Sequence, residues 1–278
     1  MSPHTVAQAL SFAQQRGVHR SDGQWMLLHL MNPPLSDRAW LITHEHTQLT
    51  ETQWATWSDW VEQRINGVPV AYLTGKKAFY GLELLINDQV LDPRPDTETL
   101  VDWALQLLSD QAHPKVLDLG TGSGAIALAL AHHAPHAQVH ACDRSESALR
   151  TARANAERLA LQVHFLQSDW FSKVQGQFDL IVSNPPYIAE GDPHLAQLIH
   201  EPREALVAGV DGLSDLRHLI DHSGLHLNPG GWLMLEHGHD QAPSVRALFE
   251  SKGFVQVQSR RDLNGIERCS AGQWRVVE

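Results

Sequence analysis

At 278 residues the chain is long enough to bury a full core, and that length favours two domains over one. Lys and Arg number 21 against 32 Asp and Glu, a formal net charge of −11, which argues against a broad grip on nucleic-acid phosphates and favours a protein or small-molecule acceptor. Two distant cysteines, Cys142 and Cys269, exclude a secreted disulfide framework, and with no charged-then-apolar leader and no apolar run of ~20 residues a soluble cytoplasmic chain is expected.

Residues 1–71 carry helical periodicity, punctuated by Gly17, Asn32-Pro33-Pro34 and Gly67, and are expected to form a small helical bundle. In its last helix Trp54, Trp57, Val61 and Ile65 recur at spacings of three and four, one apolar stripe with Thr52 as the expected cap. Core packing accounts for the stripe, with a partner-binding groove as the alternative. Residues 72–95 shift to short β-type runs around Gly75 and Gly81, with 82–86 closed by Asn87-Asp88, and predict a hairpin connector. Asp92-Pro93-Arg94-Pro95-Asp96-Thr97-Glu98 then leads into a helix over 99–108, within a last segment of 96–278.

In that segment strands are expected at 116–119, 139–142, 163–166, 178–182, 232–235 and 255–257. Helices are expected from Ala125, from Ser145, over 213–227 and after Pro243. The alternation predicts an α/β unit, a parallel sheet with helices on its faces. His132, His133 and His136 lack a Glu or Cys partner, so they are read as surface residues and no metal is expected.

The first of these strands runs into Gly120-Thr121-Gly122-Ser123-Gly124. Glycines at alternate positions remove side chains where a backbone must turn sharply and approach a ligand. Asp143 ends the next strand, 23 residues after Gly120, where a carboxylate can accept hydrogen bonds from both hydroxyls of an adenosine ribose. The loop alone also suits a nicotinamide dinucleotide, because Gly120-x-Gly122-x-x-Ala125 satisfies a loosened dehydrogenase fingerprint. With Asp118, Asp-Leu-Gly-x-Gly-x-Gly resembles the first motif of the seven-strand methyltransferases. Ser168-Asp169-Trp170 sits where that family places a carboxylate and an aromatic beside adenine, and plain packing under the sheet is the other reading of Trp170.

The fourth strand ends in Ser183 and then Asn184-Pro185-Pro186-Tyr187, at the carboxyl edge where open α/β sheets bind ligands. Methyl transfer to a planar amide or amine requires its delocalised nitrogen lone pair to be localised. The side-chain oxygen of Asn184 can accept one N–H and the Pro185 carbonyl the other, while Pro186 stiffens the backbone and Tyr187 offers a flat face for stacking. A Pro-Pro pair by itself is a rigid turn. Joined to the glycine loop and Asp143, the tetrapeptide reads as an acceptor site.

With Tyr72-Leu73-Thr74-Gly75, Pro93 to Glu98, Ser168-Asp169-Trp170-Phe171, Asp192-Pro193-His194-Leu195, Glu201-Pro202 and Leu235-Glu236-His237-Gly238, the chain resembles the HemK/PrmC family over nearly its whole length. That family methylates the glutamine of the Gly-Gly-Gln motif in class 1 peptide chain release factors, a modification that modulates translation termination. The resemblance implies a seven-strand, Rossmann-like, S-adenosylmethionine-dependent methyltransferase domain at 96–278. A helical substrate-recognition domain at 1–71 and the hairpin connector would precede it. Gly120, Thr121, Gly122, Ser123, Gly124, Asp143, Trp170 and Asn184 would bind the cofactor. Asn184, Pro185, Pro186 and Tyr187 would hold the glutamine, with Asn184, Pro185 and Tyr187 catalytic. Arg94 and Glu98 would either shape the pocket entrance or pin the connector. Two departures stand out: Asp92 replaces an apolar residue, expected to change packing and not chemistry, and the stretch between Leu195 and Glu201 is about two residues short. The expected partner is a release factor, met by a monomer with no nucleic-acid or membrane binding. The rivals are the ribosomal-protein glutamine methyltransferase, a base-amine methyltransferase and a non-catalytic adenosine-binding or redox protein.

Overall fold

The computed structural model describes residues 4–33 and 37–275, so Pro34 of the expected Asn-Pro-Pro break lies outside it. The described residues form two compact units, one running to Lys76 with Gln197–His200 added, the other holding the rest.

The smaller unit contains α1 (Val6–Gln15), α2 (Arg20–Met31), α3 (Arg38–Thr43), α4 (Glu51–Ile65) and α5 (Val70–Thr74). Its core gathers Ala9, Ala13, Met26, Leu27, Leu28, Trp57 and Val61. The Trp57 indole is fully buried, and its N–H donates to the Ala9 carbonyl at 3.0 Å, so no polar group is stranded by that burial. The apolar stripe of α4 is therefore a core face as far as Val61, but Ile65 is exposed. Trp54 lies at its margin, its ring stacked on His4 at 3.6 Å. The cap is Thr50 and not Thr52: its hydroxyl accepts from Gln53 N while the Gln53 side chain accepts from Thr50 N. This reciprocal capping box satisfies two otherwise orphaned donors, which a threonine inside the first turn cannot do.

Tyr72, expected to begin the β-type segment, lies inside α5, which closes at Gly75 with a positive φ. The hairpin strands are β1 (Lys76–Phe79) and β2 (Leu82–Leu85), joined through Tyr80 and Gly81, both left-handed as a tight twisted turn requires. Two strands this short do not stand alone in water. The hairpin is held instead by Asn155, a fully buried side chain that accepts from Leu85 N at 2.6 Å and donates to the carbonyls of Leu85 and Ser123 at 3.0 Å each. Connector and glycine loop are thereby tied through one amide. Glu98 accepts from Tyr80 N at 2.9 Å and pins the same hairpin.

The larger unit continues with α6 (Glu98–Leu108), β3 (Lys115–Leu119), α7 (Ala125–His133), β4 (Gln138–Asp143), α8 (Glu146–Leu159), β5 (His164–Gln167), β6 (Phe178–Ser183), α9 (Ser214–Ser223), β7 (Leu227–Glu236), α10 (Ala242–Ser251), β8 (Val255–Arg261) and β9 (Glu267–Gln273). The sheet order is β5-β4-β3-β6-β7-β9-β8, parallel from β5 through β7 and antiparallel at β9 and β8. Strand β9 carries no expectation from the sequence. Its Glu-Arg-Cys-Ser-Ala-Gly-Gln run has no β-branched residue and no apolar alternation, yet Cys269 to Gly272 are buried because both neighbours pair with it. Helix α9 ends at Ser223, short of the expected 227, and β7 begins at Leu227, ahead of the expected 232. The chain reverses direction across the sheet between β3 and β6, so a ligand crevice is placed at their carboxyl ends. Ser183 seals that point by donating from its buried hydroxyl to the Leu119 carbonyl at 2.6 Å.

Candidate active site

Directly beyond β3 and β6 lies a cleft, open to solvent, whose walls include Gly120, Gly122, Asp143, Trp170, Asn184 and Pro186. Six of the sequence-predicted residues thus meet around one space. Thr121, Ser123, Gly124, Pro185 and Tyr187 do not line it. Thr121 turns its hydroxyl inward to donate to Asp118 at 2.6 Å, and the Ser123 carbonyl is taken by Asn155. Gly124 has a packing role: with φ +85, a Cβ there would stand 3.0 Å from Leu128 Cδ1 and 3.2 Å from Ala152 Cβ. Each of these three residues helps to hold the loop in shape.

The fold of the loop follows from two carboxyl groups. Asp118 is fully buried at the end of β3, where one oxygen accepts from Thr121 and from Ala127 N at 3.2 Å. Burial is the main cause that pushes its pKa up to about 7, against the lowering by those two donors. Asp143 at the end of β4 accepts from Gly122 N and Ser145 N, both at 2.9 Å. Its pKa is likewise raised by burial, with these N–H groups opposing. A carboxylate has about four acceptor sites, so two lone pairs of Asp143 remain for ligand hydroxyls.

Trp170 sits across from the loop with φ +43, a conformation bulky residues avoid, and is held there from both ends. Its carbonyl accepts from the Ser168 hydroxyl at 2.8 Å, and its indole N–H donates to Asp215 at 3.2 Å. Asp169, Glu204 and Asp215 add carboxyl groups to the walls, while the cationic wall residue, Arg144, is paired with Glu204.

In the tetrapeptide Pro185 is buried and Asn184, Pro186 and Tyr187 are half-buried. The Asn184 amide nitrogen donates to the Thr97 hydroxyl oxygen at 3.2 Å. Its side-chain oxygen and the Pro185 carbonyl accept no hydrogen bond among the described residues. The Tyr187 hydroxyl donates to Glu236 at 3.3 Å, and burial, followed by the Glu236 charge, raises its pKa. Arg94 pairs with Glu201 at 2.5 Å and with Asp92 at 3.6 Å, and Lys77 joins Asp92 at 2.9 Å. Asp92 therefore does more than adjust packing: it is the shared anion of a partly buried ion network in which Arg94 and Lys77 pin the connector.

A profile of the PrmC N-terminal domain matches residues 5–75, and one of the methyltransferase small domain matches residues 98–259. The sequence is 46% identical to a release factor glutamine methyltransferase of Xylella fastidiosa, over 95% of this chain and 97% of that one. The chain belongs to the release factor glutamine methyltransferase family. A second member, from Escherichia coli, is 42% identical over 98% of each chain. The fold is also that of a T. thermophilus 16S rRNA N2 G1207 methyltransferase in complex with AdoMet and guanosine, at TM-score 0.54 and 22% identity, covering 72% of this chain and 50% of that one.

Within the family's motifs, sequence reasoning passed over Thr97, Glu236 and Asn155. Thr97 and Glu236 lie inside strings that carry the resemblance, yet both are buried away from the cleft, and only their contacts with Asn184 and Tyr187 reveal them. Asn155 had no signal beyond being a polar residue on the apolar side of α8, whose neighbours Ala152 and Ala156 are buried.

Proposed function

We propose that the protein transfers the methyl group of S-adenosylmethionine to the side-chain amide nitrogen of the glutamine in the Gly-Gly-Gln motif of class 1 peptide chain release factors. The observation that carries this reading is the unengaged acceptor Asn184 Oδ1 on the cleft that also contains Asp143 and Trp170, with the unengaged Pro185 carbonyl next to it in the chain. The donor set suits the cofactor. Asp143 has lone pairs for ribose hydroxyls, Trp170 offers an adenine-sized face, and the acidic walls favour a cationic sulfonium. A dinucleotide is disfavoured, because the Asp118 carboxyl already occupies an N–H in the first turn of α7, where a pyrophosphate would need to sit. The bound cofactor supplies an electrophilic methyl group.

The protein's own work is orientation. Asn184 and Pro185 each accept one N–H of the glutamine amide, which draws the nitrogen toward a tetrahedral shape and aims its lone pair. Tyr187 supports the planar group. Proximity and orientation of this kind supply up to roughly 7–11 kcal/mol in well-ordered systems. No strong base is required, since the amide nitrogen becomes acidic only as it is methylated and its proton can pass to solvent. Labelled cofactor should mark a purified release factor and leave its Gly-Gly-Ala variant unmarked. Equal labelling of both would refute the assignment, and labelling of a ribosomal protein instead would favour the rival reading.

A further inference from the structure

The adenine wall depends on how one indole lies. The second side-chain torsion of a tryptophan has a broad, roughly two-fold preference, and half a turn about it exchanges the places of the N–H edge and the benzo ring. Trp170 is half-buried, packed on the core along part of its surface and bordering the cleft along the rest. Packing on one side leaves such a ring free to tilt.

Asp215 supplies the further restraint. The Trp170 indole N–H donates to its carboxyl at 3.2 Å, across 45 positions of chain. An indole nitrogen only donates, and a carboxyl keeps an acceptor oxygen whether ionised or protonated, so the direction of this bond is fixed. Asp215 stands in the first turn of α9, a helix that Leu216, Leu219 and Ile220 anchor in the core. The acceptor is thus presented by a rigid element. The six-membered ring of the indole lies against Gly120, so the side chain is clamped between the glycine loop and α9. The turn that carries Trp170 has bonds of its own: Ser172 N donates to the Asp169 carbonyl at 2.9 Å and Lys173 N to the Ser168 hydroxyl oxygen at 3.0 Å. Losing the Asp215 bond therefore frees the ring and not the turn. Asp143, Asp169 and Glu204 also line the cleft, so the charge of Asp215 is shared with its neighbours, whereas among the described residues the bond to the indole is its own.

We propose that Asp215 is a positioning residue for the cofactor: through the indole N–H it holds the Trp170 ring in the plane on which adenine stacks. The proposal rests on the reading of the cleft as an S-adenosylmethionine site with Trp170 at the adenine. Asp215 acts through Trp170 and not on the sulfonium.

Calorimetric titration of the full chain with S-adenosylmethionine and with S-adenosylhomocysteine compares wild type, Asp215→Ala, Asp215→Asn, Trp170→Phe and the double variant Trp170→Phe with Asp215→Ala, with thermal midpoints recorded. Asp215→Ala should weaken both ligands about tenfold and by the same factor, because they share the adenosine. The amide oxygen of Asp215→Asn still accepts the N–H and should restore both affinities to within about threefold of wild type. Once Trp170→Phe has removed the donor, Asp215→Ala should lose no more than about twofold further. In labelled-methyl transfer to release factor, Asp215→Ala should raise KM for the cofactor by more than it lowers kcat. Wild-type affinity in Asp215→Ala, a loss confined to the cationic ligand, or the full loss repeated in the Trp170→Phe background overturns the proposal. If Asp215→Ala does not fold, the other single variants decide: about tenfold loss in Asp215→Asn or wild-type affinity in Trp170→Phe overturns it. A wild-type protein that binds neither ligand overturns the reading of the cleft itself, an outcome distinct from losses confined to the variants.

Discussion

The Trp170 indole occupies the space that a side chain on Gly120 would need: a Cβ there would stand 3.2 Å and 3.4 Å from two ring carbons. Gly120 also has φ +72, so two independent constraints exclude other residues. Gly120→Ala should displace the indole and weaken cofactor binding about tenfold or more, with a smaller effect on the thermal midpoint. Calorimetric titration with S-adenosylmethionine checks this, and unchanged affinity would remove Trp170 from the adenine wall.

Thr50 and Thr52 separate a cap from a bystander. Thr50→Ala breaks the capping box of α4 and should cost about 1 kcal/mol, whereas Thr52→Ala should be close to neutral. Urea unfolding of the two variants gives the comparison, and equal losses would contradict it.

Two buried carboxyl groups impose a pH dependence on stability. Asp118 rises from 3.8 to about 7 and Glu236 from 4.5 to about 7, chiefly through burial. Between those limits the folded protein holds protons that the unfolded chain has released. Unfolding free energy from these groups therefore falls as pH rises from about 4 to about 7 and is flat above. Asp118→Asn and Glu236→Gln should each flatten the slope of the thermal midpoint between pH 5 and 7 relative to wild type. Parallel slopes in all three proteins would show that neither carboxyl carries the raised value.

The Arg94–Glu201 pair is asymmetric in exposure, with the Glu201 side chain 3% accessible and Arg94 33%. Arg94→Met strands a buried anion and should destabilise by about 3 kcal/mol, while Arg94→Met with Glu201→Leu should regain much of that. Chemical denaturation of single and double variants measures the difference. Additive losses would contradict the coupling.

The parts of the site legible in the sequence are those whose chemistry is local. Three alternate glycines, a carboxylate ending the next strand and a proline-stiffened tetrapeptide each state a backbone or donor requirement within a few residues. Alternation of periods two and 3.6 gave the sheet and its helices. What stayed hidden is long-range. Strand β9 has no pattern of its own because its burial comes from two neighbours, and Ile65 shows that a helical stripe does not say where its cover ends. Thr97 reads as an ordinary helix-entry residue until it is brought 3.2 Å from Asn184, 87 positions away.

Strand β9 follows β8 in the chain but separates it from β7 in the sheet. During synthesis, β8 leaves the ribosome with no edge to join, since its partner has yet to be made. The open edge of β7 carries Glu236, so the buried carboxylate behind the acceptor site stays wet until residues 267–273 arrive and insert. The wall behind the acceptor site is therefore completed only once residues 267–273 have been made, and a nascent chain halted near Asp262 would hold a glycine loop and a tetrapeptide without the strand that pairs with β7 at Glu236.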